Sequence, residues 1–409
     1  MKRRYLLFTV TVAILCVMVA GIALLTNGLG RSHAVASSVT PRATTSTSSF
    51  GVVVGDTYYG TSREDVYALN AKTGGRLWHY YTKVPASLLG VAQGMVYFFL
   101  SDNGHAYALD AKTGAVAWRS QATFSGGVDT LFVQNGVLYV ENVTEVGVLS
   151  ALNASNGTLL WTYVSHSGSV GMAFVLIQGV FYISSSQSSG HSGTSLCAVE
   201  ASNSSEIWCQ DYGDLGGFTA PIVTGNIVAV GYYPYGGSSQ ILAFNISNGS
   251  LVWQRSNVSL LAGSQGTIYA FVDGSNVVEA FKAGHGALIW QNRFGTAIQG
   301  GSLVSNGVLY VSNSDNNVYA INTTDGSLLW SYNVGAVAYT FVVVNGVAYI
   351  STGNALYALN ASTGSPLWVS KIAVNTVNFV SVRLGIVYVG SGYIVHALSI
   401  QTGKQLWRH

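Results

Sequence analysis

The chain has 409 residues, 8% of them charged against about 25% in an average soluble protein, and a formal net charge of +2. Its 18 Lys and Arg are scattered along the sequence, which excludes the clustered basic footprint that nucleic acid binding requires. Gly, Ser, Thr, Asn and Tyr carry the polar surface instead, so recognition by such a chain rests on hydrogen bonding more than on long-range charge.

Taken in chain order, Lys2, Arg3 and Arg4 precede an uncharged apolar stretch over residues 5–26. As a helix it would extend about 33 Å, enough for a hydrocarbon core of about 30 Å. The preceding cations predict a cytoplasmic N-terminus, with everything after the span outside the membrane. Residues 1–26 are thus expected to form a signal anchor with one transmembrane helix, and the protein to sit in the cell membrane as a single-pass chain. The alternative is a cleaved leader: Ala34-Val35-Ala36 matches the small-residue cleavage pattern, and cleavage after Ala36 would make the protein secreted. Residues 27–49, rich in Ser and Thr, read as a flexible stalk.

From residue 50 onward the chain repeats one pattern. Trp78, Trp118, Trp161, Trp208, Trp253, Trp290, Trp330, Trp368 and Trp407 recur at intervals of about 40 residues and are all the tryptophans of the chain. An alanine lies ten residues before each, from Ala68 to Ala397. A glycine lies four before all except Trp208, where Ser204 stands. Each repeat divides into four short strands; in the second they fall at 88–93, 95–100, 105–110 and 115–120. Gln93-Gly94 forms a tight turn between the first two, and Gly114 supplies positive φ between the last two. Residues 50–409 therefore predict an all-β propeller of nine four-stranded repeats. The indoles are expected to fill the wedges between blades, each burying about 150–250 Å². They are structural docking residues, not ligand-stacking ones.

The pattern Ala-x-(Asp/Asn)-x-x-Thr-Gly-x-x-x-Trp, seen from Ala68 to Trp78, Ala108 to Trp118 and Ala358 to Trp368, resembles the tryptophan-docking repeat of quinoprotein alcohol dehydrogenases. It is equally similar to the non-catalytic BamB-like propellers of the same PQQ-like repeat family. Glu200, Lys282 and Ser399 depart from its third place. Family members usually close with eight blades, so two arrangements stand open: nine blades, or eight with one terminal repeat outside the ring. The first strand, 50–55, and the last, 405–409, both look complete, which favours nine.

The dehydrogenase resemblance would imply a calcium site, a catalytic Asp, adjacent cysteines over the cofactor and a stacking Trp. Adjacent cysteines are absent, and every Trp is taken by the repeat. Asp129, Asp211 and Asp214 are the acids expected near the channel mouth, and three dispersed acids make a poor calcium site. His105 and His396 read as ordinary strand positions. No catalytic, cofactor-binding or metal-ligating residue is therefore assigned, and no cofactor is expected.

Cys197 and Cys209 flank the turn of the fourth repeat. If Glu200 faces Glu206 across that hairpin, the cysteines face each other and form a disulfide, which would compensate for the missing turn glycine. The loops between the second and third strands are expected to be longest at 141–147, 184–195 and 232–240. Three consecutive blades would then carry a raised sector, with His191, Tyr232, Tyr233 and Tyr235 as a partner-binding rim. Nine Asn-x-Ser/Thr sequons fall mostly in the recurring turn, where Asn and Ser serve turn geometry. The functional expectation is a non-catalytic extracytoplasmic propeller that binds or scaffolds a protein or glycan partner at the cell envelope. The alternatives are a PQQ/Ca-dependent dehydrogenase and a purely structural envelope protein.

Overall fold

The computed structural model describes residues 51–409 apart from 125–126, 144–146, 167–170, 187–192, 213–215, 235, 373–378 and 392. The expected anchor helix and stalk lie outside the described residues. Among the described residues no helix is long and apolar enough to cross a membrane.

Nine antiparallel sheets follow one another along the chain, each a simple meander. Blade 2 runs Ala86–Ala92, Met95–Leu100, His105–Asp110 and Val116–Arg119 from the axis outward, close to the strands expected. Its first turn places Gln93 at φ 52 and Gly94 at φ 76, the paired left-handed geometry that matches the twist of a hairpin. Its last turn is closed by Gly114 N donating to Asp110 O at 2.9 Å. The Asp110 carboxylate accepts from Lys112 N and Thr113 N at 3.0 and 2.8 Å. Asn70 and Asn360 cap the same turn in blades 1 and 8, which is why the third place of the pattern takes Asp or Asn.

The ten-residue spacing has a direct cause. In each blade the alanine lies cross-strand from its tryptophan, as Ala68 does from Trp78. All nine such alanines are fully buried. The indole then reaches into the next blade: Trp78 Nε1 donates to Ala111 O at 2.9 Å, Trp118 Nε1 to Ala154 O at 3.0 Å and Trp161 Nε1 to Ala201 O at 3.1 Å. The same bond recurs around the ring. It ends with Trp407 Nε1 donating to Ala71 O at 3.0 Å, joined there by the Tyr388 hydroxyl at 3.0 Å. Blade 9 thus docks on blade 1 as every other pair docks, and no strand is shared. The ring has nine blades.

The turn glycine meets the indole of the preceding blade. A Cβ at Gly114 would lie 2.7 Å from Trp78 Cε3, and one at Gly74 would lie 2.8 Å from Trp407 Cγ. In blade 4 Ser204 itself holds φ 62.

A tyrosine on the second strand completes the wedge in eight blades, cross-strand from the alanine; blade 5 has Ala229 there instead. Eight tryptophans are buried, while Trp253, on the blade that lacks this tyrosine, is half-buried.

Blade 5 departs further from the four strands expected of each repeat. Its inner strand is split into Gly216–Phe218 and Ile222–Thr224, both paired to Ile227–Pro234. Pro221 lies in the break, and proline has no N–H to continue a ladder.

Candidate partner-binding sector

The connections between second and third strands of blades 3, 4 and 5 emerge on one face, but the strands extend into them. Val137–Val143 and Gly147–Asn153 pair along their full length, as do Val180–Ser186 with Thr194–Glu200 and Ile227–Pro234 with Gln240–Asn245 over most of theirs. Among the described residues the sector is therefore raised by extended hairpins.

This corrects the expected tyrosine rim. His191 and Tyr235 lie outside the described residues. Tyr232 lies on the strand Ile227–Pro234 at 6% exposure and packs 5.3 Å from Phe218 and 5.6 Å from Tyr212. Phe244 joins this cluster at 6.1 Å from Tyr212. Tyr233, one residue on, turns to the opposite face and is half-buried; burial is the main cause that raises its phenol pKa. Both faces of a blade are covered by neighbouring blades, so strand alternation sends neither ring to solvent. What this hairpin exposes is Gly236, Gly237 and Ser238, with Ala220 exposed at the break of the inner strand.

Beneath that tip a set of hydroxyls ties blade 4 to the broken strand of blade 5. Ser184 Oγ donates to Thr219 O at 2.9 Å, and Thr194 Oγ1 to Gly216 O at 2.9 Å. Phe218 N donates to Ser186 Oγ at 2.7 Å, and Gly231 N to Thr219 Oγ1 at 2.8 Å. Side chains of blade 4, with Thr219 in the break itself, thus satisfy backbone groups of blade 5 that an unbroken ladder would otherwise pair. The break is a built feature of the fold.

Of the acids expected at the channel mouth, Asp129 and Asp211 lie on strands at opposite edges of their blades. Asp129 lies on the inner strand Gly127–Gln134, and Asp214 is outside the described residues. Asp211 lies on the outermost strand Glu206–Tyr212, opposite Ser195, far out from the axis. His105 and His396 do sit on third strands; His396 is buried with Nδ1 2.8 Å from Gln405 Oε1.

Cys197 and Cys209 are directly opposed and joined in a disulfide. The register argument for the pair holds from Ala198 and Trp208 outward, but a bulge follows, so Val199 rather than Glu200 faces Glu206. His166, on the connection arriving from blade 3, sits beside the bridge. Its Nε2 is 2.6 Å from Glu206 Oε1, and its Nδ1 is 3.7 Å from Asp211 Oδ2. Among the described residues, His166, Cys197 and Cys209 are a trio of metal-ligand type whose ligand atoms lie within 4.8 Å of one another. The sequence brings Cys197 and Cys209 together but not His166, which arrives on the connection from blade 3.

Nine tryptophan-docked, four-stranded blades define a β-propeller of PQQ-like repeats. The chain belongs to the family described as outer membrane protein assembly factor BamB, whose model matches residues 62–210 and 274–409. In solved structures the fold is shared with BamB from Moraxella catarrhalis, at 18% identity and a TM-score of 0.50 over 77% of this chain and 94% of that one. It is shared too with the computationally designed Ika8 protein, at 13% identity and a TM-score of 0.52 over 80% and 97%. Over 206 residues the chain is 24% identical to tetrathionate hydrolase of Acidithiobacillus ferrooxidans, an alignment covering 46% of this chain and 40% of the hydrolase.

Proposed function

We propose that the protein is a non-catalytic extracytoplasmic propeller that binds or scaffolds a protein or glycan partner at the cell envelope, and that the partner seats on the blade 4–5 sector. One observation carries this. The family model leaves residues 211–273 unmatched, a stretch holding all of blade 5 and the first two strands of blade 6, and in blade 5 the inner strand is broken although its alanine, glycine and tryptophan are kept. In a repeat scaffold the regular units supply stability, and departures on one face are where recognition is built. The sector presents glycine and serine over a hydroxyl-rich seam, suited to hydrogen bonding with little charge. That the family takes its description from an assembly factor supports partner binding in general. The apolar stretch at 5–26 supports attachment to the membrane, with the propeller outside.

A photo-crosslinking residue placed at Ser238, compared with one at Ser362, tests this. Ser362 is exposed in a turn between third and fourth strands, at the opposite end of the meander. Recurrent adducts from position 238 in intact envelopes, and none from 362, are expected. Equal labelling from both would overturn the assignment. Dye-linked alcohol oxidation after addition of pyrroloquinoline quinone and Ca²⁺ would instead establish the dehydrogenase reading, and hydrolysis of tetrathionate would establish a hydrolase. A chain that crosslinks to nothing at either end would be the structural envelope protein.

A further inference from the structure

We propose that the Cys197–Cys209 disulfide masks a transition-metal site: once a thiol reductant opens it, the two thiolates, His166 and Asp211 hold a Zn²⁺ ion. A bridge that merely stitched the hairpin would need no further groups around it. Here a histidine from the preceding blade and two carboxylates converge on it, in a chain of 409 residues with 8 His and 16 acids. The two sulfurs and one imidazole nitrogen already lie within 4.8 Å of each other. A tetrahedral zinc site, with Zn–S of about 2.3 Å and Zn–N of about 2.0 Å, sets ligand atoms about 3.3–3.8 Å apart. Opening the bridge frees χ1 of Cys209, half-buried on the outermost strand, and a change of rotamer is the motion that would part the sulfurs.

The surroundings fit the chemistry. Glu206, 2.6 Å from His166 Nε2, holds that edge of the ring and leaves Nδ1 for the metal, the carboxylate–histidine arrangement that orients a metal-bound imidazole. Asp211 reaches from the same strand as Cys209. Its Oδ2 is 3.7 Å from His166 Nδ1 and its Oδ1 is 3.9 Å from Cys209 Sγ, so it supplies the fourth ligand. Two thiolates, an imidazole and a carboxylate suit zinc and its spectroscopic substitute cobalt, and disfavour calcium or magnesium.

The steps balance. A dithiol reductant passes two electrons to the S–S bond, which breaks to two cysteine thiols while the reductant becomes its own cyclic disulfide. Zn²⁺ then displaces the two thiol protons to solvent. The bridge and the metal exclude each other, so blade 4 would be stapled by sulfur under oxidising conditions and by zinc under reducing ones.

Titration with Co²⁺ of the full chain, freed of metal and compared in oxidised and reduced forms, tests this. The reduced form is expected to bind one Co²⁺ with thiolate-to-metal charge transfer and intense tetrahedral d–d bands, both lost on adding Zn²⁺; the oxidised form should give neither. His166→Ala, a change at an exposed side chain, should weaken binding at least about tenfold, and Glu206→Gln by about tenfold. A reduced chain that binds no Co²⁺, or binds it without charge transfer, overturns the proposal. So does His166→Ala binding as tightly as the parent. Circular dichroism accompanies each titration, and loss of the sheet signal on reduction also overturns it, because the site requires the paired hairpin.

Discussion

Two glycines of blade 2 separate the cost of a turn from the cost of a blade interface. Gly94 and Gly114 hold φ +76 and +71. An alanine at either must keep a left-handed backbone, a penalty of about 1–2 kcal/mol. At Gly94 nothing lies within 4 Å of the added methyl, so that penalty is the whole effect. At Gly114 the methyl would sit 2.7 Å from Trp78 Cε3 and 2.8 Å from Cδ2, inside van der Waals contact. The indole is held by its bond to Ala111 O and cannot withdraw freely, so overpacking adds about 1–3 kcal/mol. Gly94→Ala should therefore cost about 1–2 kcal/mol, and Gly114→Ala about 2–5 kcal/mol. Urea unfolding followed by circular dichroism and tryptophan emission measures both, with unchanged slope as the check that midpoints compare like states. The Gly114 variant should also shift the emission of the folded state, since it displaces an indole. Equal losses for the two variants would show that the recurring glycine serves the turn alone and that docking places no demand on it.

Three further outcomes follow from the same geometry. Trp407→Phe keeps an aromatic ring at the closing seam and removes one of the two donors to Ala71 O, the Tyr388 hydroxyl remaining, so loss of that bond should destabilise by about 0.5–1.5 kcal/mol in the same urea assay. Leu384 holds φ 54 at a turn position where the other blades place Asn, Gln or Gly; Leu384→Asn should raise the unfolding free energy by about 1 kcal/mol, as should Ser204→Gly in blade 4. Asp110 accepts from the Thr113 hydroxyl and from the amides of Thr113 and Lys112, and these bonds hold its pKa below the usual 3.8. The unfolded chain therefore takes up the proton first, and the stability this turn contributes is lost as pH falls from the unfolded value through the folded one. Asp110→Asn, which copies the cap of blades 1 and 8, should flatten stability against pH across that acidic window when midpoints are measured down to pH about 2.

The parts of the fold legible in the sequence are those fixed by local chemistry at constant spacing. Alanine lies opposite tryptophan across a short hairpin whose length does not vary, so the pair recurs at ten residues in all nine blades. The wedge tyrosine obeys a rule just as strict in space, but the connection between second and third strands changes length, and fixed-interval counting misses it. It follows the first-turn glycine closely instead, as Tyr97 follows Gly94, and that signal was available. Tyr232 and Tyr233 were misjudged because Pro234 and the glycines after it read as loop, whereas coverage of both blade faces carries the strand through to Pro234. Pro221 is a local signal for the broken inner strand, one that reading four strands into every repeat passes over. The grouping of His166 with Cys197 and Cys209 had no sequence signal, since it depends on which connection of blade 3 passes the outer edge of blade 4.

The central claim is that blade 5 recognises and the other blades support. Replacing Ser238 at the exposed tip with Arg, with Gly236 kept at the φ of 73 that a side chain would strain, leaves the aromatic cluster of Tyr212, Phe218 and Tyr232 untouched. The account predicts an unchanged unfolding midpoint and loss of the adduct formed from a crosslinker at Ala220, the exposed position at the break of the inner strand. An undiminished adduct from such a variant would contradict it.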